Sequence, residues 1–111
     1  MVDKLDSLYN GILELFTSEL GNEHRNGTEY TIGKFTGIGF LFPKEDCEKP
    51  PLISLKRQKN AVHIYAINLE KYAPIFGKSA VGKGCIRVKS LNNERLQAIK
   101  EIISKNKQKL R

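Results

Sequence analysis

Apolar side chains recur near the start of the chain at Leu5, Leu8, Tyr9, Ile12, Leu15, Phe16 and Leu20. Steps of three and four put them on one stripe, so the spacing predicts a helix over 3–20. Asp3 and Asp6 suit its positive N-terminal end, and Gly21 can take the left-handed conformation that stops it. From Thr28 the period shortens toward two, with Tyr30 and Ile32, then Ile38, Phe40 and Phe42, then Ile53 and Leu55 as alternating positions. That rhythm predicts short strands. The charged stretch from Pro43 to Pro51 breaks them, because proline lacks the ladder N–H. Segments 53–57 and 61–67 flank Gln58-Lys59-Asn60 as a hairpin.

Leu69, Tyr72 and Phe76 return to helical spacing over a short segment that Pro74 limits. Cys85 to Lys89 alternates again and reads as a strand, entered through Gly82-Lys83-Gly84. Asn92 is a candidate N-cap for a last helix, with Leu91 placed to staple onto Leu96 and with Leu96, Ile99, Ile102 and Ile103 as its buried stripe. Its basic end is expected to fray from about residue 105. The order of elements predicts an α+β domain spanning 1–111: two layers, with an antiparallel or mixed sheet of about five strands and the N- and C-terminal helices packed on one face. Alternation then sorts the side chains. Ile53, Leu55, Val62, Ile64, Ile86 and Val88 should face the helices, leaving Ser54, Lys56, His63, Tyr65, Cys85 and Arg87 on the open side.

At 111 residues the chain suits a single hydrophobic core. Its longest apolar stretch, Gly37 to Phe42, is far short of the ~20 residues that cross a bilayer. The start reads Met-Val-Asp-Lys-Leu-Asp, with acids where a secretory signal needs a basic segment and an apolar block, so a cytoplasmic location without membrane contact is expected. Cys47 and Cys85 are then expected as free thiols, and Asn26-Gly27-Thr28 as a turn, not a glycosylation acceptor.

Gly77-Lys78-Ser79-Ala80-Val81-Gly82-Lys83 imitates the start of a phosphate-cradling loop, but Gly84 occupies the metal-binding hydroxyl position and a strand follows where a helix is needed. The net charge of +7 is uneven: residues 1–77 hold 9 Lys/Arg against 10 Asp/Glu, and residues 78–111 hold 10 against 2. Arg95, Lys100, Lys105, Lys107, Lys109 and Arg111 could therefore neutralise phosphates from the last helix. No aromatic follows Phe76 to stack bases, and a solvated lysine-rich helix end explains the same residues, which makes nucleic acid the weaker partner.

Lys56, His63, Tyr65, Cys85 and Arg87 are the stronger candidate site, a donor-rich open face for a small anion or a protein partner, with a homodimer contact as the competing explanation. Glu45-Asp46-Cys47-Glu48 and Glu23-His24 lack the convergent spacing that pre-organises a metal, so no metal site and no cofactor is expected. With His24 and His63 alone available, no nucleophilic triad is supported and no catalytic residue is assigned.

Val62-His63-Ile64-Tyr65 and Gly82-Lys83-Gly84-Cys85-Ile86-Arg87-Val88 resemble the bacterial YdhG-like family, over roughly Leu52 to Ile103. The resemblance implies a small two-layer α+β fold with an antiparallel sheet backed by helices. It also implies, as an alternative function, the frataxin-like iron chaperone role described for one member. It supplies no catalytic residue.

Overall fold

The computed structural model describes residues 4–21, 25–42 and 50–109. Helix α1 (Lys4–Leu20) is followed by strands β1 (Thr28–Ile32), β2 (Phe35–Phe40), β3 (Ile53–Arg57) and β4 (Val62–Tyr65). A 3-10 turn over Glu70–Tyr72 leads into the single-turn α2 (Ala73–Phe76), and a second over Lys78–Ala80 precedes β5 (Cys85–Val88) and helix α3 (Asn93–Lys109). The five strands form one sheet in chain order, β1-β2-β3-β4-β5, with every pairing antiparallel. This is the α+β architecture expected from the sequence.

Antiparallel partners share a face, so register fixes the two sides of the sheet. Ile38, Leu55, Ile64 and Ile86 form one inward row, Val62 pairs Val88, and Phe40 pairs Ile53. The helices close over these rows with Ile12 and Phe16 from α1, Tyr72 and Phe76 from the α2 segment, and Ile99, Ile102 and Ile103 from α3. All six strand residues expected to face the helices are fully buried. Phe16 packs on Phe40 with ring centroids 4.9 Å apart.

Local chemistry sets the element ends. Gly21 stops α1 at φ +68°, its N–H donating to the Thr17 carbonyl at 2.8 Å. Asn26 ties that end to the sheet: its Nδ2 donates to the Leu20 carbonyl, and its Oδ1 accepts the Leu41 N–H at 2.6 Å. Asn92 caps α3 by accepting the Arg95 N–H at 2.8 Å. The Arg95 guanidinium then bonds the carbonyls of Ile75 and Ser90, fastening α3 to α2.

The structure departs from the sequence reading in several places. Phe42 does not continue the alternation of Ile38 and Phe40. β2 ends at Phe40, and Leu41 adopts φ +60° and is itself buried, so Phe42 is delivered to the other side of the sheet. Pro74 sits at the start of α2, where its missing N–H costs nothing. β4 is shorter than the segment 61–67, and α3 runs on through Lys109 with Asn106 buried on its inner side. Most of the loop expected from Pro43 to Pro51 lies outside the described residues.

Candidate functional site

The outward strand positions are Thr28, Tyr30 and Ile32 on β1, Phe35, Gly37 and Gly39 on β2, Ser54 and Lys56 on β3, His63 and Tyr65 on β4, and Cys85 and Arg87 on β5. The structure therefore brings Lys56, His63, Tyr65, Cys85 and Arg87 together on one face. His63 pairs directly with both Lys56 and Arg87, and Tyr65 pairs with Cys85. No described strand position on this face is acidic.

The polar centre is a short hydrogen-bonded chain. The Tyr65 hydroxyl lies 3.1 Å from His63 Nδ1, and Cys85 Sγ lies 3.6 Å from the same nitrogen. Burial lowers the His63 pKa below its ordinary value, and the nearby Arg87 and Lys56 charges push it further down. Burial raises both the Tyr65 and the Cys85 pKa, with Arg87 opposing the shift in each case. At neutral pH the three groups are imidazole, phenol and thiol. His63 then carries one ring proton, and its Nδ1 shares a hydrogen bond with the Tyr65 hydroxyl. A protonated thiol beside a neutral histidine is not an activated nucleophile, so this chain can donate and accept hydrogen bonds but does not form a thiolate–imidazolium pair.

His63 should titrate below about 6.5, and Lys56→Ala or Arg87→Ala should move its midpoint upward. The sign for stability is fixed by the same shift: the unfolded chain takes up a proton more readily, so this contribution is complete above about 6.5 and is lost as the pH falls toward the native value. Imidazole proton shifts followed by NMR check it, and a midpoint at or above the ordinary value contradicts it.

The sequence reading missed the aromatic half of the face. Tyr30 on β1 bonds Ser54 Oγ on β3, so its ring must cross the intervening β2. Two glycines make the crossing possible. Gly37 and Gly39 leave β2 with no outward side chain beyond Phe35, and the space is filled by Phe35, whose ring carbons lie 2.9 Å from where a Gly37 Cβ would stand, and by Phe42 above Gly39. The rings form a continuous run, Phe42, Tyr30, Phe35, Tyr65 and His63, with successive centroids 5.9, 5.7, 5.0 and 5.9 Å apart. Lys56 Nζ stands 4.8 Å from the Phe35 centroid and Arg25 Cζ 4.4 Å from that of Phe42. The signal was present in the sequence: Tyr30 and Phe35 flank the two-residue turn Gly33-Lys34, and Gly37 and Gly39 repeat at the strand period.

No protein family, curated protein or solved structure matches the chain. The likeness to the YdhG-like family rests on the residues quoted for it above.

The basic residues of the last helix belong to the other layer. Arg95 is committed to backbone carbonyls, Lys105 pairs with Glu101 at 3.1 Å, Lys100, Lys107 and Lys109 are exposed, and Arg111 lies outside the described residues. Glu101 also holds Lys71 at 3.0 Å and the Tyr72 hydroxyl at 2.9 Å, and Lys71 first, then Lys105 and Tyr72, bring its pKa down to about 2. A cavity of about 440 Å³ opens beside this cluster, walled by Ile67, Leu69, Ile102 and Asn106. A second, of about 600 Å³, lies between α2 and α3. Neither is lined by a residue of the open face.

Glu23-His24, Glu45-Asp46-Cys47-Glu48 and the Cys47 thiol lie outside the described residues. Among the described residues no three His, Cys, Asp or Glu side chains converge as a metal would require, and no helix is long and apolar enough to cross a membrane. Gly77-Lys83, the loop that imitates a phosphate cradle, follows the short α2, holds a 3-10 turn and leads into β5 through a bridge from Val81 to Ile86.

Proposed function

We propose that the protein is a cytoplasmic binding domain of the YdhG-like type that receives an anionic ligand on its open sheet face. The observation that carries this reading is the union, on a face that no described helix or strand covers, of Lys56, Arg87 and the neutral His63–Tyr65–Cys85 chain, with no carboxylate among the described strand positions around them. Such a surface offers donors and positive potential with no counter-ion among the described strand positions, which is what an incoming anion selects. A free Cys85 thiol fits a reducing compartment.

The test is a titration with tripolyphosphate, read by amide shifts in nitrogen-15 spectra. Saturable shifts confined to β3, β4 and β5, reduced at least ~10-fold in apparent affinity by Arg87→Ala combined with Lys56→Ala, support the reading. An absence of shifts in these strands at millimolar ligand, or shifts confined to α3, removes it.

A further inference from the structure

We infer that the occupant of the open face is single-stranded nucleic acid, its bases stacked on the aromatic run and its phosphates met by Arg25, Lys56 and Arg87; this rests on the anion-binding reading above and names its ligand.

A simple anion would leave most of this face unsatisfied. Arg87 and Lys56 answer charge, but Tyr30, Phe35 and Tyr65 are half-buried rings standing on a side of the sheet that no described helix or strand covers. Aromatic surface left beside water is costly, and here it is contiguous, crossing from β1 to β4. Three strand spacings make that about 14 Å, too long for one planar ligand. A matching ligand needs several flat π-systems, each carrying a negative charge beside it. Single-stranded nucleic acid has that composition in every residue, whereas a protein segment offering the same would need alternating aromatic and acidic side chains held extended.

The arrangement of cations sharpens the match. Arg25 lies over Phe42 at one end of the ring series, Lys56 over Phe35 in the middle, and Arg87 beside His63 at the other end. Phe42 is itself buried under Arg25, so the rings open to a base are Tyr30, Phe35 and Tyr65, and Lys56 and Arg87 stand beside them to meet its phosphate. Successive rings are tilted or edge-on to one another, at 47° to 87°, so no two present parallel faces and bases held on them must be splayed, which selects unpaired nucleotides over a duplex whose bases are hidden. The Tyr65 hydroxyl and the second ring nitrogen of His63 offer base edges hydrogen-bonding groups without a fixed pattern, which implies weak sequence preference. The basic helix that the charge distribution first singled out is on the opposite side of the sheet, away from every ring of the run.

The experiment measures the intact chain against a fluorescein-labelled single strand of about 12 nucleotides by anisotropy, from about 50 to 300 mM salt, with tripolyphosphate and a duplex of the same length as comparators. The expected result is saturable single-strand binding that weakens with salt and exceeds duplex binding. Phe35→Ala and Tyr65→Ala should each lower affinity about 5- to 100-fold, and Tyr65→Leu, which keeps an apolar body, should lower it similarly while preserving the fold, as checked by amide spectra. Lys107→Ala combined with Lys109→Ala should change affinity by less than about 3-fold.

Binding that survives all three ring variants, or that the α3 pair abolishes, overturns the inference. So does sedimentation showing a dimer that protects the face and excludes the strand. If tripolyphosphate shifts β3–β5 and the oligonucleotide does not bind, the anion site stands and its nucleic-acid identity fails. If neither binds, both fail.

Discussion

Phe16→Ala is expected to remove about 3–5 kcal/mol of stability, the largest loss from a single truncation in this domain. Phe16 is fully buried at the centre of α1's inner stripe and packs tilted against Phe40 of β2, which is equally buried. Its ring is therefore the contact through which the first helix holds the sheet. Deleting it loses the transfer free energy of the ring and leaves a void between a helix and a sheet that cannot both move inward. A domain of this size has only about 5–15 kcal/mol in total, so the variant should stand close to its unfolding threshold at ambient temperature. Urea denaturation followed by circular dichroism measures it, with the midpoint falling by roughly 2 M for an m-value near 1–3 kcal/mol/M. Phe16→Leu, which keeps most of the volume, should cost less than half as much. A midpoint within error of the parent would mean that α1 is not fixed through this contact.

Gly39→Ala is the second large effect, from an addition instead of a deletion. A Cβ at this position would collide with Cζ of Phe42 and stand 2.7 Å from Cγ of Pro51. Neither neighbour yields easily: Phe42 is buried, with Tyr30 edge-on at 5.9 Å and Arg25 over its face, and Pro51 is a rigid ring. We expect a loss of about 1–3 kcal/mol from one methyl group, together with displaced aromatic resonances of Phe42 and Tyr30 in proton spectra. A variant as stable as the parent with those resonances unmoved would show that the ring does not rest on β2.

Much of the fold was legible because its signals are periodic. The α1 stripe, the alternation from Ile53 to Val88 and the Asn92 cap are each set by nearest neighbours along one element, and Ile12, Phe16 and Leu20 of the stripe and the six inward strand residues are buried. The β3–β5 half of the candidate site followed from that alternation. What was hidden depends on a change of face. Leu41 takes a left-handed conformation that no local propensity announces, and it sends Phe42 to the opposite side from Phe40. Tyr30 likewise acquires its meaning from Ser54, 24 residues away, and from glycines on the strand between them. Arg25 and Phe42 meet only after both have been placed. Such relations arise across strands, where period along one segment carries no information. The charge count pointed to the last helix because it sums along the chain; the sheet sorts charge by side.

Because strand order repeats chain order, the sheet can assemble by adding each strand to its predecessor, and its loop closures are short except between β2 and β3 and where α2 intervenes between β4 and β5. The distant encounter is reserved for the terminal helices, which touch one another across the top of the core. Such a topology favours rapid folding, since little entropy is surrendered before contacts reward it. It also makes the two ends of the polypeptide mutually dependent: shortening either helix should loosen the grip of the other, long before any strand is lost.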